Sequence, residues 1–454
     1  MKKYIFTFIS LVFLVMFSFS LYYKLSYKSF NTQEVLNNIK ELSSSKYAGR
    51  LAGSDGNFKA SDYIVNEFKK NSLKSYGDDF KENFSVKAPK TINGTPSLVL
   101  KSPNGDVYKD FKYGVDFKED LVNFKTNSFT FGESFRGSKL YIFSQSIVFQ
   151  NSKGSFMLYV NNNSDNFRSS FLYNSPCNMY ISITQSVYDE IIDMLSKSYV
   201  LDCFIPIEVV DTDIPNVAGK IEGKDSSLPP LILSAHFDHL GTDLGGNLYG
   251  GALDNASGVS FLLELSRNLS SLPKPDRDII ILALNGEEFG LLGSKDFSLK
   301  HLDEIKDSKV INFDMAASTE NNSLSIISGK YVKSSKLIED LSSILENKKI
   351  YYLKKFEDVS DHAPFNSLGI DSVTLGFEDY SKIHTPNDTY EYVSSYGINL
   401  NYDLIHQYIL NNYYSDSSFI VYDSRFFYGS FGGLLLFSLL SVYFIYKDLK
   451  KLNK

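Results

Sequence analysis

His236, Asp254, Glu288, Asp314 and His384 are imidazoles and carboxylates, and each sits in a short turn marked by Gly, Asn or Pro, four of the five directly behind an apolar run. Two zinc ions sharing a carboxylate need about this many nitrogen and oxygen ligands, with positions left open for water and substrate. Glu287 stands beside Glu288. Of two adjacent acids one can bind metal while the other stays free to take a proton from a metal-activated water, which is the work of a general base. Asp238 follows His236 at a spacing that lets its carboxylate orient the imidazole through the other ring nitrogen. A single acid in a turn is ordinarily a solvated loop residue; five ligand-type residues at the ends of apolar runs point to a metallohydrolase. A mixed set of this kind admits zinc, cobalt or manganese.

The elements that must hold these residues follow from the hydrophobic pattern. After Pro215 apolar strands alternate with helices: Leu231 to Ala235 then Ser257 to Leu269, Ile279 to Leu284 then Leu291 to Leu299, Val310 to Phe313, and a helix from Ser335 to Glu346 with Leu337, Ile338, Leu341, Ile344 and Leu345 on one stripe. Such alternation implies an α/β fold with a mainly parallel mixed sheet flanked by helices. Sheets of this kind place ligands beyond the carboxyl ends of their strands. His236, Glu287, Glu288 and Asp314 all follow strands, Asp254 precedes a predicted helix, and His384 comes after a further strand, Ser372 to Phe377. The glycine pairs 245–246 and 250–251 are turn glycines, since no Gly-Lys-Ser/Thr follows to make a phosphate loop.

Upstream, residues 24–86 read as the helical start of the same unit, with Val35, Leu36, Ile39 and Leu42 on one helix face and Ala60, Tyr63, Ile64 and Phe68 on another. The Gly-rich loop from Tyr47 to Gly56 between them shows no evident chemistry. Residues 87–210 change texture to short aromatic and β-branched runs such as Lys139 to Phe143 and Phe156 to Val160, the pattern of a small β-rich module inserted into the unit that resumes at 211–415.

Two apolar segments bracket the chain. Residues 1–23 read as an uncleaved signal anchor, because no small-x-small cleavage site follows the apolar run, and residues 426–446 as a second spanning helix; each has the roughly 20 residues a bilayer requires. Lys2 and Lys3 precede the first and the basic tail 447–454 follows the second, so both termini are expected on the cytoplasmic side and the domain between them outside. The chain carries a net charge of −7 although both ends are basic, which excludes a nucleic-acid binder. The two cysteines, Cys177 and Cys203, fit either one disulfide or two buried thiols.

Six stretches taken in order, Ala235-His-Phe-Asp-His-Leu-Gly241, Ala252-Leu-Asp-Asn-Ala-Ser-Gly258, Asn285-Gly-Glu-Glu288, Asn312-Phe-Asp314, Ser360-Asp-His362 and His384-Thr-Pro-Asn-Asp-Thr389, resemble the co-catalytic dinuclear zinc aminopeptidases of the bacterial leucyl aminopeptidase and aminopeptidase Y type. The resemblance covers about residues 32–86 and 211–410, and the inserted module resembles, more weakly, a protease-associated domain. It implies a zinc exopeptidase fold holding two Zn2+ ions: Asp254 bridging both, His236 and Asp314 completing one site, Glu288 and His384 the other, and Glu287 as general base. It also implies that the Asp254–Asn255 peptide is cis. Some members carry a Tyr before the last His; here Ile383 stands there, leaving carbonyl polarisation to the metals, Tyr380 or Tyr390. His362 is expected to line the substrate site or support a ligand, His239 to line the pocket mouth, and His301 and His406 to be packing or surface residues. The expected function is removal of N-terminal residues from peptides. The rival readings are a carboxypeptidase, a glutaminyl-cyclase-like enzyme and a non-catalytic membrane receptor; the first would need a basic residue to grip a terminal carboxylate, and no motif supplies one.

Overall fold

The computed structural model of the protein describes residues 2–77, 79–132, 138–161, 166–318, 322–415 and 423–452; the last two residues of the basic tail lie outside them. A nine-stranded mixed sheet forms the spine. At its centre Ile279–Leu284, Leu231–His236, Lys309–Phe313 and Asp371–Phe377 run parallel in that order. All residues of Leu231–His236 and Ile279–Leu284 are buried. Each apolar side chain so covered contributes about 1.5–3 kcal/mol, which is why unbroken aliphatic runs become the middle of a two-sided sheet.

The sheet turns antiparallel toward both edges. On one side Ile207–Ile221 pairs with Ile279–Leu284 and with the long strand Lys81–Thr91; on the other Leu324–Ser328 runs antiparallel to Asp371–Phe377 and parallel to Tyr352–Phe356. Helices cover the faces. Thr32–Leu42, Asp55–Lys70 and Lys336–Asn347 are each N-capped, by Asn31, Ser54 and Ser335, whose side chains accept from the backbone N–H of Gln33, Asn57 and Ile338. Their apolar stripes pack on the sheet with Gly258–Leu269 and Ser395–Tyr413.

Strands between Ser97 and Phe204 make two further sheets, one of five strands and one of four, closed over a phenylalanine-rich core and one helix, Gln185–Leu195. The ribbon of Lys81–Thr91 against Ile207–Ile221 carries the chain into these sheets and back. Cys177 and Cys203 are both buried free thiols. Lys2–Ser26 and Ser424–Lys451 are long and apolar enough to cross a membrane, and they pack against each other.

Candidate metal centre

The parallel strands end together, and their following turns converge. His236 is the last residue of its strand; Glu287 begins a short turn of helix after Asn285-Gly286; Asp314 follows Phe313. Asp254, at φ −110° and ψ 95°, sits in a non-helical kink within Ala252–Ser257, and its peptide bond to Asn255 is cis. All five ligand candidates come to one place.

His236 Nε2 lies 3.4 Å from Asp254 Oδ1 and 3.5 Å from Asp314 Oδ1. On the other side of Asp254, His384 Nε2 lies 3.3 Å from Asp254 Oδ2 and 3.4 Å from Glu288 Oε1. Four ligands on a zinc ion with bonds of 2.0–2.1 Å are about 3.3–3.4 Å apart, the edge of a tetrahedron. Asp254 thus offers one oxygen to each of two such groups. His236 Nε2 is buried and has no hydrogen-bond partner among the described residues, although buried polar atoms are ordinarily paired. The donor set, the spacing and this orphaned nitrogen fit two divalent ions.

The electrostatics follow from crowding. Burial opposes the charge on His384, but the Glu288 and Asp254 carboxylates outweigh it and push the imidazole up to about 11; His236 is likewise raised, against burial, by Glu287 and Asp314. Burial holds the Glu287 carboxyl well above the usual range, with Glu288, Asp361 and Asp314 adding to the effect against His236. Asp254 and Glu288 are held below theirs, because the imidazoles more than offset burial. The two adjacent acids are therefore driven apart, one toward holding a proton and one toward holding a cation.

A ring of hydrogen bonds fixes the ligands. The Asp238 carboxylate is 3.7 Å from His236 Nδ1 and accepts the backbone N–H groups of Glu287 at 3.1 Å and Glu288 at 3.2 Å. It ties the base to the ligand strand as well as facing the imidazole. Asp388 accepts from Leu253 N–H at 2.8 Å and Asp254 N–H at 3.0 Å, pinning the bridging loop. Ser360 Oγ donates to Asp314 Oδ2 at 2.7 Å. Gly251, at φ 56°, passes so close to the Asp254 carbonyl and the His239 ring that any side chain there would collide.

Three expectations change on inspection. The Tyr47–Gly56 loop has a direct role: the fully buried Arg50 donates to the carbonyls of Phe237 at 2.7 Å, Leu42 at 2.6 Å, Gly250 at 2.8 Å and Gly251 at 2.9 Å, joining the first helix to both ligand loops. His239 does not line the mouth. It is fully buried beneath the centre, with Nδ1 3.0 Å from Glu288 Oε1 and 3.8 Å from Asp254 Oδ2. His362 is a buried strut bonded to Thr374 Oγ1 at 2.7 Å and the Glu357 carbonyl at 2.8 Å; its neighbour Ser360 is the residue of that stretch that reaches a ligand. The repeated His of His236-Phe-Asp-His239 and the basic Arg50 in a glycine-rich loop were the available signals.

A cavity of about 380 Å³ opens over Asp254, Glu287, Glu288, Asp314 and His384, with Met315, Ile327, Val359, Phe377 and Ile383 as its apolar wall. Tyr380 lines it; Tyr390 instead packs against the helical core. Lys355 also lines it, and its ammonium is 2.7 Å from Glu378 Oε1.

Residues 216–409 match the profile of Peptidase family M28. Over 191 residues the chain is 30% identical to the aminopeptidase YwaD of Bacillus subtilis, covering 39% of this chain and 40% of that protein. Over 82 residues it is 40% identical to a vacuolar membrane protease of Clavispora lusitaniae, 18% of this chain and 7% of the other. The chain thus spans well under half the length of both relatives. The aminopeptidase from Aneurinibacillus sp. strain AM-1 superposes with a TM-score of 0.60 at 19% identity, covering 85% of this chain and 94% of that one, and a Peptidase M28 precursor from Shewanella amazonensis with 0.57 at 16%, covering 92% and 98%. At those identities the superpositions establish the fold. The stretch 216–409 that matches Peptidase family M28 takes in all five candidate ligands, His236, Asp254, Glu288, Asp314 and His384, at and just beyond the strand ends.

Proposed function

We propose that this protein is a membrane-anchored, zinc-dependent aminopeptidase that removes N-terminal residues from peptides, with its peptidase part outside the cell and both termini in the cytoplasm. The observation that carries the proposal is the pair of three-donor groups sharing Asp254, with the orphaned His236 Nε2 pointing into one of them. His236 and Asp314 would hold one zinc ion, Glu288 and His384 the other, and Asp254 both. When bound, the ions supply Lewis acidity that activates water and polarises the scissile carbonyl. Glu287 accepts the proton of the attacking water and returns it to the leaving amine, a task that its raised affinity for protons suits. The surplus of carboxylates around the cavity favours the cationic α-amino group of a peptide, and the apolar wall takes the side chain of the residue removed. Tyr380, which lines the cavity, is the candidate phenol to donate to a developing oxyanion.

The carboxypeptidase reading calls for an unpaired cation. Lys355 is the basic side chain at the cavity, and Glu378 neutralises it. The receptor reading calls for a degraded centre, whereas every ligand and the base are present. The sheets at 97–204, distinct from the main sheet though their core runs on into Leu240, Tyr249 and Phe289, support treating residues 87–210 as an insertion in the unit made by 24–86 and 211–415.

The test is hydrolysis of aminoacyl chromogenic substrates by the full chain in detergent, with chelator and with zinc restored. Chelator-sensitive release from free but not N-acylated substrates is expected. Glu287→Ala should keep its zinc and lose nearly all turnover; substantial residual turnover would remove Glu287 from the role of base.

A further inference from the structure

The strap Phe167 to Leu172 leaves the β-rich sheets and crosses the metal centre at one of its two halves. There Ser170 Oγ donates to Glu288 Oε2, and Phe171 N–H donates to the Glu288 carbonyl at 2.9 Å. Arg168 N–H donates to the His384 carbonyl at 2.9 Å, and the Phe167 ring stacks on the His384 imidazole at 5.7 Å between centroids. Each ligand that belongs to the second site alone is therefore held at its backbone and at its side chain by this strap. His384 needs such holding: its φ of 59° lies in the left-handed region, which side chains other than glycine adopt at a cost.

The strap is itself anchored in the inserted sheets. Ser169 donates from N–H and Oγ to Asp120 at 2.9 and 2.8 Å, Leu172 N–H donates to the Val122 carbonyl at 2.8 Å, and the buried Arg168 guanidinium lies 3.8 Å from Glu119, while its donation to the Leu240 carbonyl at 2.9 Å ties the strap to the peptidase sheet as well. The side chains of the first site find their support elsewhere: His236 beside Asp238, and Asp314 on Ser360.

We infer that Ser170 is a positioning residue for the second metal ion, and that the inserted β-rich module, through this strap, sets the affinity of that site while leaving the first site to the peptidase sheet. The inference rests on the two-metal reading above. Hydrogen bonding to the outer oxygen of a carboxylate ligand fixes the inner oxygen toward the ion and lowers the entropy lost on binding; removing such a partner costs about 10–100-fold in metal affinity.

The experiment is zinc titration of the metal-free full chain in detergent against a chromophoric chelator, for the natural protein, Ser170→Ala, Ser170→Thr and Phe167→Ala. The natural protein should take up two zinc ions per chain. Ser170→Ala should bind the first as the natural protein does and the second about 10–100-fold more weakly. Phe167→Ala should shift the second site in the same direction, and Ser170→Thr, which keeps the hydroxyl, should restore it. Two ions bound by Ser170→Ala with natural affinities would overturn the inference and leave the proposed function standing, and so would equal weakening of both sites, the mark of general damage. A natural protein that binds one ion or none would overturn both.

Discussion

Protons have to leave this centre before a metal can enter. His384 is pushed up to about 11 by Glu288 and Asp254 against burial, and His236 is raised in the same sense by Glu287 and Asp314. Metal ligation requires neutral imidazole, so uptake releases protons at pH 7, and affinity falls as pH is lowered. The sign holds for the acids as well: Asp361, raised to about 7 by burial despite His236, keeps its proton below that pH and gives it up as charge enters beside it. Calorimetry in buffers of different ionisation enthalpy measures the released protons directly; uptake with no proton release would contradict the pairing described. Asp238 gives a second check at this scale. Its carboxylate holds the N–H groups of Glu287 and Glu288, so Asp238→Ala should keep both ions yet lose about 10–100-fold in turnover as the base moves.

Among the elements, the short loop between the first two peptidase helices has an importance out of proportion to its length. Four carbonyls, two of them in the glycine turn that precedes Asp254, are satisfied by the single buried Arg50, whose guanidinium is brought down to about 10 by burial and remains charged at neutral pH. Hydrogen bonds to charged groups are worth about 1.5–3 kcal/mol each, and buried carbonyls stranded without a donor cost more than the bonds themselves. Arg50→Met should therefore destabilise the protein by about 3 kcal/mol or more, read as a drop in the urea midpoint at unchanged slope. A similar pairing joins the next helix to the base turn: Asn57 and Asn285 exchange amide hydrogen bonds at 2.9 Å in both directions. The central strands could be read from the sequence because unbroken aliphatic runs leave no other placement. Leu324–Ser328 could not be, since two of its five buried residues are serines whose hydroxyls are satisfied only by distant partners, Ser325 by Glu378 and Ser328 by the Ser372 carbonyl.

At the scale of the whole molecule the two terminal helices behave as one object. Lys3 Nζ lies 3.2 Å from Asp448 Oδ2 near the chain ends, while Phe17 packs on Phe427 at the opposite end of the pair, so the helices are antiparallel. Between those points Thr7 pairs with Ser441 and Ser10 with Ser438, each at 2.6 Å, and Phe6 and Phe13 stack on Phe437. Hydroxyls satisfied across helices and rings seated against small residues are how apolar segments associate where water offers no driving force. If both helices span a membrane, an antiparallel pair puts both termini on the same face of it. Lys2→Cys and Lys451→Cys should then react with an impermeant thiol reagent together and only after permeabilisation, over a low background because Cys177 and Cys203 are buried. Labelling of one terminus in intact cells would refute the hairpin.

The sequence by itself determined the central strands, the helices with capped ends, the apolar segments and the set of candidate metal ligands, because these depend on local period, local capping and residue chemistry. His236, Asp254, Glu288, Asp314 and His384 were legible as a set because each stands in a short turn and a parallel sheet brings such turns to one edge. Only the tertiary structure decided what surrounds them. His239, Ser360, Asp388 and Ser170 touch the candidate ligands and Arg50 the loops that carry them, across long sequence separations, and no local pattern separates an arginine that bonds distant carbonyls from one in solvent. The strap from the β-rich sheets is the extreme case: its contacts with Glu288 and His384 join residues more than a hundred positions apart, and such contacts are set by shape and by hydrogen bonds that no local pattern encodes.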